Sequence, residues 1–137
     1  MNWMINNMEK IITLTKKITK GDIQKFIDIS GDINPIHTNE DFAKKTIFKK
    51  PIAHGLISAS LISAGLTKLM GYGNIWLTQQ LNFEKPVYIG DEITANLKVI
   101  SVDSNKVYKI ETILKNQKGK IIISGFAECK VFPMRNS

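Results

Sequence analysis

Only two side chains of this sequence ordinarily exchange protons near neutral pH, His37 and His54, and both fall in one short window. The window reads SGDINPIH over residues 30–37 and PIAHG over 51–55, so a carboxyl group, Asp32, stands five residues before the first histidine. An acid and an imidazole on one loop can divide proton transfer, one taking a proton as base while the other gives one as acid. Metal chemistry fits the spacing poorly, because two histidines 17 residues apart with a distant Cys129 match no dependable ligand pattern. The expectation is an acid/base site that needs no metal. The sequence also holds no glycine-rich phosphate loop and no nucleophile elbow.

The elements that must position this window are legible around it. Asn34 precedes Pro35, which biases Asn34 away from helical geometry and gives the loop from Asp32 to His37 a set shape. Upstream, Ile11 to Thr15 could make a strand. Residues 19–29 then suit a helix: Thr19 can cap it, Asp22 supports the positive end of its dipole, and Ile23, Phe26 and Ile27 share one face. Gly31 is placed to end that helix. Residues 39–45 offer a short capped helix, and residues 1–9 read as loosely ordered.

Downstream, residues 55–69 are apolar nearly all round and slimmed by Ser58, Ala59, Ser60, Ser63, Ala64 and Gly65, the pattern of a helix buried on most sides. After GYGN at 71–74 the period changes to two, predicting strands over 75–83, 92–102, 106–114 and 120–132. Their connections, at Gly90-Asp91, 103–105 and 116–119, read as short, which makes those strands antiparallel neighbours in a meander. One apolar helix wrapped by a curved antiparallel sheet is an α+β arrangement, here a single domain over residues 1–137.

Composition narrows the classes. At 137 residues and 43% hydrophobic, the chain can bury one real core. Its longest apolar run, residues 55–70, is shorter than the roughly 18 residues of a membrane span. No basic residue precedes Lys10, so the order of parts in a secretory signal is missing. The lone Cys129 cannot form an internal bridge, and its apolar surroundings suit a buried, inert thiol in a reducing cytoplasm. The net charge of +7 comes almost wholly from lysine, with Arg135 as the only arginine. Nucleic-acid readers depend on the forked guanidinium, so nucleic acid is not an expected partner. A solvated lysine surface is one reading of the charge, and attraction of polyanionic small molecules or an acidic carrier protein is the other.

With the elements in order, DINPIH, FAKKTIFKKPIAHG and SASLIS together resemble the MaoC-like dehydratases and, within them, the R-specific enoyl-CoA hydratases of hotdog fold. The likeness covers about residues 11–131 and includes LNFEKPVYIGDEIT at 81–94. An acid, an Asn-Pro pair and a histidine at fixed spacing, followed by His-Gly at the start of a central helix, make a specific motif.

The resemblance implies reversible hydration of trans-2-enoyl-CoA to (R)-3-hydroxyacyl-CoA, with coenzyme A as part of the substrate and no cofactor. It implies that Asp32 and His37 hold the reacting water and that the Gly55 amide polarises the thioester carbonyl, which suits the positive end of a helix dipole. Asp32 is favoured as base and His37 as the acid toward carbon, within a coupled titration. Asn34, His54, Ser63 and Leu66 are expected around the substrate. Asn34 and His54 read mainly as braces of the loop, Ser63 as either a pocket hydroxyl or a small packing residue, and Leu66 as a boundary of the acyl chamber. A homodimer with a continuous sheet is expected, since a single hotdog leaves a sheet edge and one helix face in need of cover. Rival readings are a dehydratase acting on an acyl carrier protein, a thioester hydrolase and a non-catalytic acyl-CoA-binding module.

Overall fold

The computed structural model describes residues 10–133 and 135; the expectation for residues 1–9 lies outside them. Strand β1 (Ile11–Lys17) leads into helix α1 (Lys20–Ser30), then a 3-10 turn at Pro35–His37 and the short helix α2 (Glu40–Lys44). The central helix α3 spans Gly55–Met70, and strands β2 (Asn74–Phe83), β3 (Glu92–Val102), β4 (Tyr108–Lys115) and β5 (Ile121–Val131) follow. The five strands form one antiparallel sheet in the order β1-β3-β4-β5-β2. An antiparallel sheet with one long helix against it is the hotdog arrangement.

Period-two alternation sets the inner face of the sheet. Ile93, Ala95, Leu97 and Val99 on β3 point inward, as do Tyr108, Ile110, Thr112 and Leu114 on β4. They meet Ile57, Leu61, Ile62, Leu66 and Leu69 of α3 in one core. At Gly65 the helix lies so close to the sheet that an added Cβ would come within 2.9 Å of Leu97 Cδ2.

Two expectations need correction. The strands do not form a meander throughout: β3, β4 and β5 are sequential antiparallel neighbours, but β2 pairs with β5 and β3 pairs with β1. Residues 84–91 are no hairpin turn. They cross between opposite parts of the sheet and carry the Val87 carbonyl to the Ala53 amide and Tyr88 to a bridge with Ile52. The central helix is also covered on one side only, leaving an open stripe at Leu56, Ser60, Ser63, Ala64, Thr67 and Lys68. Beside it in sequence, edge strand β2 exposes Ile75, Trp76 and Leu77.

Cys129 is fully buried, and burial pushes its thiol up to about 11 against an opposing hydrogen bond from Asn74. Among the described residues no helix is long and apolar enough to cross a membrane. Because Leu97 is buried from both helix and sheet, Leu97→Ala should cost about 2–5 kcal/mol of stability, read as a lower urea midpoint with an unchanged slope.

Candidate active site

Local hydrogen bonds build the Asp32 loop before any long-range contact is made. Thr19 and Asp22 cap α1 reciprocally, and Gly31 ends it at φ 73, a backbone conformation glycine adopts without strain. The Ser30 hydroxyl receives the Asp32 amide at 3.1 Å, Asp32 Oδ1 receives the Asn34 amide at 3.1 Å, and Asn34 Oδ1 receives the Ile36 amide at 3.2 Å. The chain therefore advances in two-residue steps, each fixed by a short polar side chain. Asn34 thus shapes the loop, and one Asp32 oxygen is engaged within it.

The loop is then tied to residues 51–54. His37 Nδ1 lies 2.7 Å from the Ile52 carbonyl, and His54 Nε2 lies 3.2 Å from the Asp32 carbonyl. A carbonyl only accepts, so Nδ1 carries the hydrogen on His37 and Nε2 carries it on His54. The nitrogen of His37 left outside this contact is therefore Nε2. The two imidazoles stack with centroids 3.7 Å apart, and Phe26 packs on His54 from 4.7 Å.

Asp32, His37 and His54 each bring a nitrogen or carboxyl oxygen to within 4.8 Å of one another. Their surroundings differ sharply: Asp32 is exposed, His37 is half-buried and His54 is 3% exposed. Burial pushes the His54 imidazole below its ordinary value of 6.5; the Asp32 carbonyl opposes this, and the charge of His37 adds to the lowering. His54 is thus held neutral behind the pair that meets solvent.

A cavity of about 390 Å³ opens beside His37 and is lined by Gly55, Ser58, Phe83, Val87 and Ile123 among others. Its wall is mostly apolar. Helix α3 begins here without a side-chain cap, and the first N–H groups of a helix have no partner within it. The Gly55 amide therefore faces the cavity at the positive end of the dipole. Glycine at this position has a packing cause as well: a Cβ would sit 2.5 Å from the Phe83 ring.

His37 and Gly55 thus share one cavity and Asp32 brings its carboxyl near His37 without lining either described cavity, while the residues expected around them divide. His54 and Asn34 brace the loops and line neither described cavity. Ser63 lies on the open stripe of α3, and Leu66 is 1% exposed within the core; neither lines these cavities. The helical period turns Ser63 about 80° away from Gly55 to the open side, whereas Leu66 returns to within about 20° of the Gly55 face but lies about three turns further along, inside the core. Ser58 and Phe83 were not anticipated. Ser58 reads in sequence only as a residue that slims the helix, yet its hydroxyl is fully buried on the cavity wall with no partner among the described residues. His54 Nδ1, one helical turn away, is likewise buried and unpartnered.

An antiparallel sheet against a single long helix, with a carboxyl and an imidazole on the loop before that helix, defines a hotdog-fold acid/base protein. The model of the MaoC-like domain matches residues 7–120. The chain belongs to the MaoC-like family. It is 42% identical to the (R)-specific enoyl-CoA hydratase of Rhodospirillum rubrum over 120 residues, 87% of this chain and 83% of that one. Its fold is similar to the solved (R)-hydratase of Aeromonas caviae, described as involved in polyhydroxyalkanoate (PHA) biosynthesis, with a TM-score of 0.87 and 35% identity over 91% of this chain and 96% of that chain. A mitochondrial 3-hydroxyacyl-[acyl-carrier-protein] dehydratase of Arabidopsis thaliana is 29% identical over 85% of this chain and 72% of its own length.

The depressed His54 value has a stability consequence. Above 6.5 both native and unfolded protein hold this imidazole neutral, and the native state keeps its full stability. As pH falls through that value the unfolded chain takes up a proton that native His54 resists until lower pH, so stability drops. His54→Gln should flatten the fall in urea midpoint between about pH 7.5 and 5; an unchanged pH slope would contradict the assignment.

Proposed function

We infer that this protein is an R-specific enoyl-CoA hydratase, acting through Asp32, His37 and the Gly55 amide without metal or cofactor. The observation that carries this reading is the approach of the carboxyl of exposed Asp32 and the His37 imidazole to within 4.8 Å, with His37 lining an apolar cavity where an uncapped helix begins. In the reading, Asp32 takes a proton from water as its oxygen bonds to C3 of the enoyl group. The C2–C3 π electrons move onto the thioester oxygen, which the Gly55 N–H stabilises. His37, which in the reacting state carries a proton on Nε2 as well as on Nδ1, delivers the Nε2 proton to C2, and the proton that Asp32 took from water restores the ring before the next turnover, so the elements of one water molecule are added. The Ile52 carbonyl keeps the His37 ring turned so that Nε2, not Nδ1, meets substrate.

Magnitudes show why all three groups are needed: positioned acid/base catalysis supplies about 10² to 10⁴ in rate, and one oxyanion donor about 2.7–4 kcal/mol. The apolar wall suits an acyl chain, and His37 at its edge suits the reacting end of one. The acyl-carrier-protein substrate of the Arabidopsis relative marks the nearest rival, since it asks for the same chemistry on a different carrier. Cytoplasmic location accords with a single cysteine kept fully buried.

The protein is a homodimer in this reading. Edge strand β2 presents unpaired backbone groups together with Ile75, Trp76 and Leu77, and the open stripe of α3 adds Leu56. An edge so apolar needs a partner, and a second copy continues the sheet.

Purified protein should remove the enoyl absorbance of crotonyl-CoA and give the R alcohol; an S product, or release of free thiol without hydration, would count against it. Asp32→Asn and His37→Ala should each lower turnover by about 10² or more while the fold persists. Gly55→Ala, which drives a methyl group into the Phe83 ring, should also lose turnover. Light scattering should give twice the 15.4 kDa chain mass, and Trp76→Glu should shift it toward the monomer.

A further inference from the structure

A second and larger cavity, about 550 Å³, meets the first at His37, which lines both. Its character is the opposite. Lys20, Lys44, Lys49 and Lys50 stand around it with Gln24 and Thr38, and Glu40 is the single acid. The one ion pair among the described residues joins Lys16 to Asp22, so no carboxylate of a described residue lies within 4 Å of any of these four ammonium groups.

The segment presenting two of them is fixed in an uncomfortable shape. Lys49 has φ 67, a conformation that residues other than glycine seldom adopt. The Lys50 amide returns to the Phe48 carbonyl at 2.8 Å, closing a three-residue turn with Lys49 at its centre. That same carbonyl takes the Tyr88 hydroxyl at 3.0 Å, and Lys50 Nζ lies 5.0 Å from the Tyr88 ring centroid. Four like charges around one cleft repel each other until an anion enters, and strained backbone of this kind gathers at ligand clamps.

We propose that this lysine-lined cleft is the seat of the phosphate groups on the carrier arm of the thioester, with the acyl end passing His37 into the apolar cavity. The proposal rests on the hydratase reading for its choice of ligand. Lysine binds phosphate as a compact point charge, and a diphosphate or phosphomonoester carries the multiple charges that four ammonium groups can share. The phosphates of coenzyme A and the single phosphate of a protein-bound phosphopantetheine present the same chemistry. Continuity through His37 explains how one extended ligand with an apolar head and an anionic tail spans two cavities of opposite character.

Calorimetric titration with free coenzyme A, 4′-phosphopantetheine and pantetheine tests this without any turnover. Coenzyme A should bind the unaltered protein about tenfold or more tighter than pantetheine, with an affinity that falls as salt rises. The double variant Lys44→Gln/Lys49→Asn should lose that advantage; asparagine tolerates the left-handed backbone of residue 49, so only charge is removed. Lys20→Gln/Lys44→Gln, on exposed helix positions, should lower it by the same route. If 4′-phosphopantetheine matches coenzyme A, the seat holds the phosphate shared with a carrier protein; if coenzyme A alone binds tightly, it holds the nucleotide end. Equal binding of coenzyme A and pantetheine, or an advantage unmoved in both double variants, would overturn the proposal. Hydration of crotonyl-pantetheine by the unaltered protein tests the hydratase reading separately, because that thioester has no phosphate.

Discussion

Two hydrogen bonds crossing in opposite senses hold the site together. His37 gives its Nδ1–H to the Ile52 carbonyl, and His54 gives its Nε2–H to the carbonyl of Asp32. Each imidazole thus anchors itself on the other's loop, and the rings stack at 3.7 Å between the anchors. Because both acceptors are carbonyls, the arrangement fixes which nitrogen of each ring carries a hydrogen toward the facing loop as well as both positions. Everything else at the site depends on this: the orientation of His37, the Asp32 carboxyl within 4.8 Å of a nitrogen of each ring and the start of the central helix are set by the same pair of contacts.

The same contacts assign unequal roles to the histidines. His54 is buried against Phe26 and held neutral, with its Nε2–H committed to the Asp32 carbonyl. His37 keeps one nitrogen toward solvent and belongs to both cavities. In the proposed mechanism His37 delivers a proton, and a neutral ring stacked behind it avoids placing two positive charges 3.7 Å apart. Charge elsewhere follows a similar division: the apolar cavity lies against the core, and the unpaired lysines stand around the outer one.

Much of this was legible in the residue order because the signals were local. The Thr19/Asp22 cap, the Gly31 stop, the Asn34-Pro35 turn and the change of period after residue 74 each act within a few residues, and each appears in the fold near its expected place. Sheet order was only partly legible. The β3-β4 and β4-β5 pairings follow from short turns, whereas the β2-β5 pairing depends on where residues 84–91 travel, and no local preference encodes that path. In the candidate site, the loop motif pointed to Asp32, His37 and Gly55, and the structure brings Asp32 near His37 and sets His37 and Gly55 on one cavity. Ser58 and Phe83 stayed hidden because their place is set by which face of the helix and which edge of the sheet meet across space; rotation leaves Ser63 on the open side, and distance along the helix leaves Leu66 in the core.

The central claim is that one carboxyl and one imidazole address a common water facing a thioester oxygen at the helix start. A crystal structure with (R)-3-hydroxybutyryl-CoA bound tests it most directly. The account predicts the 3-hydroxyl between the Asp32 carboxyl and His37 Nε2, with the thioester oxygen about 2.7–3.1 Å from the Gly55 nitrogen. A ligand whose hydroxyl lies away from both side chains, or whose thioester oxygen takes its hydrogen bond elsewhere, would contradict it.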